Sequence, residues 1–70
     1  MAQSTAVFSI QGIDSEEDLQ EIDNTLSELD GVMGVNVDQG SGDAEIKYDE
    51  DVLAEERVKI TVRELGYTVK

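Results

Sequence analysis

The sequence predicts an α+β fold, one helix-covered sheet in the element order β-α-β-β-α-β. Three observations point there. Apolar and polar residues alternate over residues 5–11, 33–38 and 44–48, the period of a half-buried strand. Over residues 16–29 and 55–65 the apolar residues recur every three or four positions, the period of an amphipathic helix. A glycine follows each helical stretch, Gly31 and Gly66, where a left-handed residue stops a helix.

Taken in order, residues 1–4 read as a frayed start. Strand one, residues 5–11, turns Ala6, Phe8 and Ile10 to one side and Val7 and Ser9 to the other. Residues 12–14 are the loop into helix one, where Leu19, Ile22, Leu26 and Leu29 form a single stripe. Ser15 suits the N-cap, and Asp18 stands where a capping box has Glu or Gln. Glu16, Glu17 and Asp18 fill the first turn, where the helix dipole favours negative charge. Strand two, residues 33–38, is expected to turn Met33, Val35 and Val37 inward and Gly34 and Asn36 outward.

The run Gln39-Gly40-Ser41-Gly42 is a turn by composition. Strand three, residues 44–48, points Ala44, Ile46 and Tyr48 inward and Glu45 and Lys47 outward, so strands two and three make a hairpin. Residues 49–51 are an acidic connection. Helix two spans residues 55–65, with Val58, Val62 and Leu65 inward and Leu53 tucked in before it. Its Ile60-Thr61-Val62 is β-branched, and residues 57–62 alone could pass for a strand. Helix is preferred because otherwise strands three and four would lack their crossover. Residues 67–69 close the sheet. The result is a ferredoxin-like sandwich, a four-stranded antiparallel sheet with two helices on one face. Its open face should show Val7, Ser9, Gly34, Asn36, Glu45 and Lys47.

Residues 1–70 make one small domain. A chain of this size buries about 60 % of its unfolded surface and rarely gains more than about 3–5 kcal/mol from its core. There is no cysteine and no histidine, which removes disulfides, thiolate ligands, a thiol nucleophile and the commonest neutral base. Seventeen acidic residues face five basic ones, a net charge of −12. That argues against nucleic acid and against anionic membranes. No apolar run approaches the roughly 20 residues that cross a bilayer, and no charged-then-apolar leader precedes strand one. A cytoplasmic monomer is expected. The acidity reads first as a solvated surface, of the kind suited to a salt-rich cytoplasm. The second reading is an acidic face that docks a basic partner.

A glycine, an apolar residue, a loop, the Ile and Leu offsets of helix one and the exit Leu29-Asp30-Gly31-Val32 together resemble the heavy-metal-associated domain. Downstream, Val35-Asn36-Val37, residues 44–48 followed by Asp49, and Gly66-Tyr67 agree with it. This is the family of copper chaperones and of the N-terminal modules of metal-pumping ATPases. The resemblance implies a Met-x-Cys-x-x-Cys loop holding one copper(I) between two thiolates. Here Ile13 stands at the Met position, Ser15 at the first cysteine and Asp18 at the second. A hydroxyl and a hard carboxylate do not suit a soft ion. The thiolate site is therefore read as lost, with no metal and no cofactor expected. The resemblance also implies that the loop from Ile13 to Asp18, with helix one and helix two, forms a docking face for a protein partner.

Other chemistry has weaker support. Asp14, Glu16, Glu17 and Asp18 cluster at one helix start, and Asp49, Glu50 and Asp51 near another, as candidate hard-cation ligands. Neither cluster has EF-hand spacing, and helix starts favour acids for their own reasons. RNA binding on this topology needs aromatics on the open face, whereas Phe8 and Tyr48 are expected inward. Tyr67 is expected to pack against Ile13, where the family often places an aromatic near its metal loop. Acid–base catalysis needs a perturbing cleft for which so small a domain has little room, so no enzyme is expected. The leading expectation is a protein-interaction or regulatory module. The alternative is a metal-binding or metal-transport protein using oxygen ligands.

The charge carries its own test. Counterions screen like-charge repulsion over about 8–10 Å at physiological ionic strength. The melting temperature should therefore rise from about 10 mM to about 1 M salt, equally for potassium and sodium chloride. A flat thermal-denaturation series over that range would refute self-repulsion as a burden on the fold.

Overall fold

The computed structural model describes residues 2–70. The elements run β1 (Gln3–Gln11), α1 (Glu16–Ser27), β2 (Val32–Val37), β3 (Asp43–Asp49), α2 (Glu55–Glu64) and β4 (Thr68–Val69). The four strands form one sheet in the order β2-β3-β1-β4, with every neighbouring pair antiparallel. This is the expected ferredoxin-like α+β fold. β1 and β3 form its centre, in register from Gln3 opposite Asp49 to Ser9 opposite Asp43.

Both helices bury their stripes against the same face of that sheet. Ile22 and Leu26 of α1 meet Val58 and Val62 of α2 above Ile46 of β3, all five fully buried. Ala6, Phe8 and Ile10 of β1 and Ala44 and Tyr48 of β3 complete the floor, and Leu53 closes it before α2. The opposite face is solvated as expected, with Asn36, Glu45 and Lys47 exposed and Val7 70 % exposed. α2 is helical through its β-branched run. The Thr61 hydroxyl donates to the Arg57 carbonyl at 2.8 Å, which satisfies a polar group buried to 8 % exposure.

Two expectations are corrected. The start is not frayed where it is described: Gln3 and Ser4 belong to β1, and the Ala2 carbonyl accepts from the Glu50 amide at 2.8 Å. Met1 lies outside the described residues. Met33 does not face the core but is 52 % exposed. The reason is a register shift in which Val32 pairs with Tyr48 and Gly34 with Lys47. Met33 is the extra residue of a bulge, so the inward position passes to Val32. Simple alternation cannot foresee that slip, because one inserted residue reverses the faces on one side of it.

The β2–β3 connection depends on one glycine. Gly42 is buried at φ +79°, its carbonyl accepts from the Ile10 amide at 2.8 Å, and its own amide donates to the Asp38 carbonyl at 2.7 Å. A Cβ there would collide with the Ile10 carbonyl oxygen. Gly66 has φ +104° but open space around its Cβ position. Gly66→Ala should therefore cost only the left-handed strain of about 1–2 kcal/mol, and Gly42→Ala clearly more. Urea denaturation of the two variants should rank them in that order, and equal losses would refute the close approach.

Candidate functional site

The loop between β1 and α1 holds the positions singled out from sequence. Ser15 is the N-cap of α1, with φ −148° and ψ 167°. Its hydroxyl oxygen accepts from the Asp18 amide at 3.3 Å. Asp18 reaches back, and its Oδ2 accepts from the Asp14 amide at 3.0 Å. A capping box would return this bond to the N-cap amide, whereas here it lands one residue earlier and ties down the loop. Ser15 thus satisfies an orphan amide at the helix start, and Asp18 an amide of the loop before it.

Tyr67, immediately before β4, completes the cluster. Its ring lies against the loop, with Cδ1 3.6 Å from where a Cβ on Gly12 would stand. Ile13 and Tyr67 are both half-buried and rest on the core. The Tyr67 hydroxyl donates to Glu21 Oε1 at 3.4 Å, a contact that sequence reasoning missed because it joins residues 46 apart. The amide of Asp14, followed by the Tyr67 hydroxyl and Ser15, holds the Asp18 carboxyl below its ordinary value. Partial burial and then the neighbouring Asp18 and Glu21 push the Tyr67 phenol up to about 12.

The donor set does not fit copper(I). Its two central members are a hydroxyl and a carboxylate, both engaged with backbone amides. Met33 is no substitute, because β2 begins beside Tyr48, at the end of the sheet away from the β1–α1 loop. Among the described residues, no three Asp or Glu side chains converge as a metal site. Asp14, Glu16 and Glu17 are exposed around the helix start. In the second acidic cluster, Asp49 Oδ1 accepts from the Asp51 amide at 2.9 Å, and Glu50 Oε2 accepts from the Ser4 hydroxyl at 3.0 Å. These bonds finish the turn after β3.

The basic residues of α2 are partly spoken for. Lys59 pairs with Glu55 at 3.6 Å and Arg63 with Glu56 at 3.5 Å, the first pair partly and the second mostly in solvent. Such pairs contribute roughly 0–1 kcal/mol each. They make α2 a mixed surface beside α1, which carries no basic residue. No helix among the described residues is long and apolar enough to cross a membrane.

Both shifted groups make stability depend on pH, in opposite senses. The depressed Asp18 carboxyl contributes stability above its ordinary value of 3.8, lost as pH falls through the lower folded value. The raised Tyr67 phenol contributes stability that is whole below 10.0 and lost as pH rises towards about 12. Subtracting the ultraviolet titration of Tyr67→Phe from that of the native domain isolates this phenol. Its midpoint should lie near 12, and an ordinary midpoint would refute the partial burial of the phenol beside Asp18 and Glu21.

Comparison with known proteins agrees with this fold. The chain is 28 % identical over 65 residues to copper-transporting ATPase 2 of Rattus norvegicus, covering 93 % of this chain but only 4 % of that protein. It is 25 % identical over 67 residues to the copper chaperone CopZ of Staphylococcus saprophyticus, covering 96 % of this chain and 98 % of the other. The solution structure of a putative copper-ion-binding protein from Bacillus anthracis superposes with a TM-score of 0.93 at 23 % identity, covering 99 % of this chain and 97 % of that one. The heavy-metal-associated domain family matches residues 7–68. With that match across the fold, and with Ser15 and Asp18 in the loop of a chain without cysteine, the protein belongs to the heavy-metal-associated domain family and lacks a thiolate metal site.

Proposed function

We propose that this domain works as a protein-interaction or regulatory module and does not carry a copper ion. One observation carries the reading. Ser15 and Asp18 are committed to the N-terminus of α1, so hydrogen bonds hold the loop in shape without a metal. What the fold retains is a surface made of this loop, α1 and α2. The family resemblance implies a docking role for that surface, and here it is available to a protein partner without an ion to deliver. The family relationship supports a binding role, and no side-chain arrangement described above supports catalysis.

A competition titration against a copper(I) chelator tests the reading. The native domain should leave the chelator loaded. The double variant Ser15→Cys with Asp18→Cys should withdraw one equivalent, because it puts two thiolates in the loop of a chain with the family's fold. Stoichiometric binding by the native domain, with amide shifts centred on Ser15 and Asp18, would overturn the proposal. It would restore the alternative of a metal-handling protein with oxygen ligands.

A further inference from the structure

β2 is an edge strand, paired only with β3 in the sheet. Its six residues, Val32–Val37, carry no charge, although the chain has a net charge of −12. Soluble proteins usually block such an edge with Lys, Pro, an inward charge or a bulge. Here the bulge sits at the Val32–Gly34 end, and the run from Gly34 to Val37 is left regular. Beside that run, α1 and β2 line an open groove of about 270 Å³. Leu19, Val35 and Val37 form its apolar lining, all half-buried, and Glu16 and Asp23 stand exposed on its helical side. No Lys or Arg is among the described residues that line it.

From this groove we infer that β2 docks an extended segment of a partner protein, a cationic strand with alternating apolar residues. The chemistry selects that occupant. An added strand pairs with the open backbone edge and sends every second side chain towards the groove. Its apolar residues meet Leu19, Val35 and Val37, and its Lys or Arg residues, turned to the open face of the sheet by the same alternation, meet Asp38 and Glu45. A second copy of this chain is the other obvious strand donor. Two copies would each bring a net charge of −12 to the contact, so charge favours a cationic partner over self-pairing. The inference rests on the reading of the domain as an interaction module and adds a partner class and a second surface.

The probe is a short synthetic peptide of alternating Lys and Val, titrated into the isotope-labelled domain at physiological salt, with a scrambled Lys/Val peptide as control. The alternating peptide should shift amides of β2 and of residues 16–23, with cross-strand contacts to β2, and the scrambled one should not. Asp38→Asn with Glu45→Lys should weaken binding at least about tenfold. Glu50→Gln with Glu64→Gln, away from the groove, should leave it unchanged. Absence of binding overturns the inference. So do shifts spread over all acidic surfaces alike, or a β2-mediated dimer of the free domain seen by sedimentation. Shifts centred on the β1–α1 loop and α2 would remove the groove while leaving the interaction module intact. The copper(I) titration judges that broader reading independently.

Discussion

Ile22 and Leu26 of α1, Val58 and Val62 of α2 and Ile46 of β3 meet in one small layer, and the rest of the domain is arranged to keep them together. Only one face of the sheet is apolar, so both helices must lie on it. The core they make is small for a chain with net charge −12. Each end of the structure is therefore tied by short polar devices: Ser15 and Asp18 at the start of α1, Asp49 after β3, Gly42 between β2 and β3. None contributes much alone. Together they spare the core from holding loops that would otherwise fray.

The same accounting explains how a loop without thiolates keeps its shape. A bound ion would cross-link the loop to the helix start. Here the link is the pair of bonds from the Asp14 and Asp18 amides to Asp18 and Ser15, with the Tyr67 hydroxyl beside them on Glu21. Residue types that are poor ligands for copper(I) are good ligands for backbone amides. The closure of this loop needs no metal.

Much of this was legible in the sequence, for a physical reason. The strands and helices bury one face each, so period two and period 3.6 survive in the order of residues. Ala44, Ile46 and Tyr48, or Ile22 and Leu26, could be assigned to the core from spacing alone. The Ser15 cap was legible because its contact spans three residues. Met33 was not, because a bulge is a decision made between two strands. The Tyr67–Glu21 contact and the α1–β2 groove were hidden for the same reason: each needs the sheet order to bring distant residues together. The uncharged run of β2 gave no separate signal, because β1 is uncharged as well and periodicity analysis reads both only as strands.

That uncharged edge and the acidity bear on one another. An open, apolar edge strand is ordinarily a hazard, since it pairs with any similar edge and most readily with its own kind. In a domain this acidic, copies repel before their edges can align, and the repulsion weakens as salt rises. The edge can then stay free of the Lys residues that protect other sheets. Adding such residues would remove the feature that a cationic strand recognises. Net charge thus serves as the protection, acting at long range, while the local chemistry of β2 stays suited to pairing. A partner of opposite charge is drawn in by the field that keeps copies apart, so selectivity comes from the whole acidic surface and grip from the groove beside Val35 and Val37.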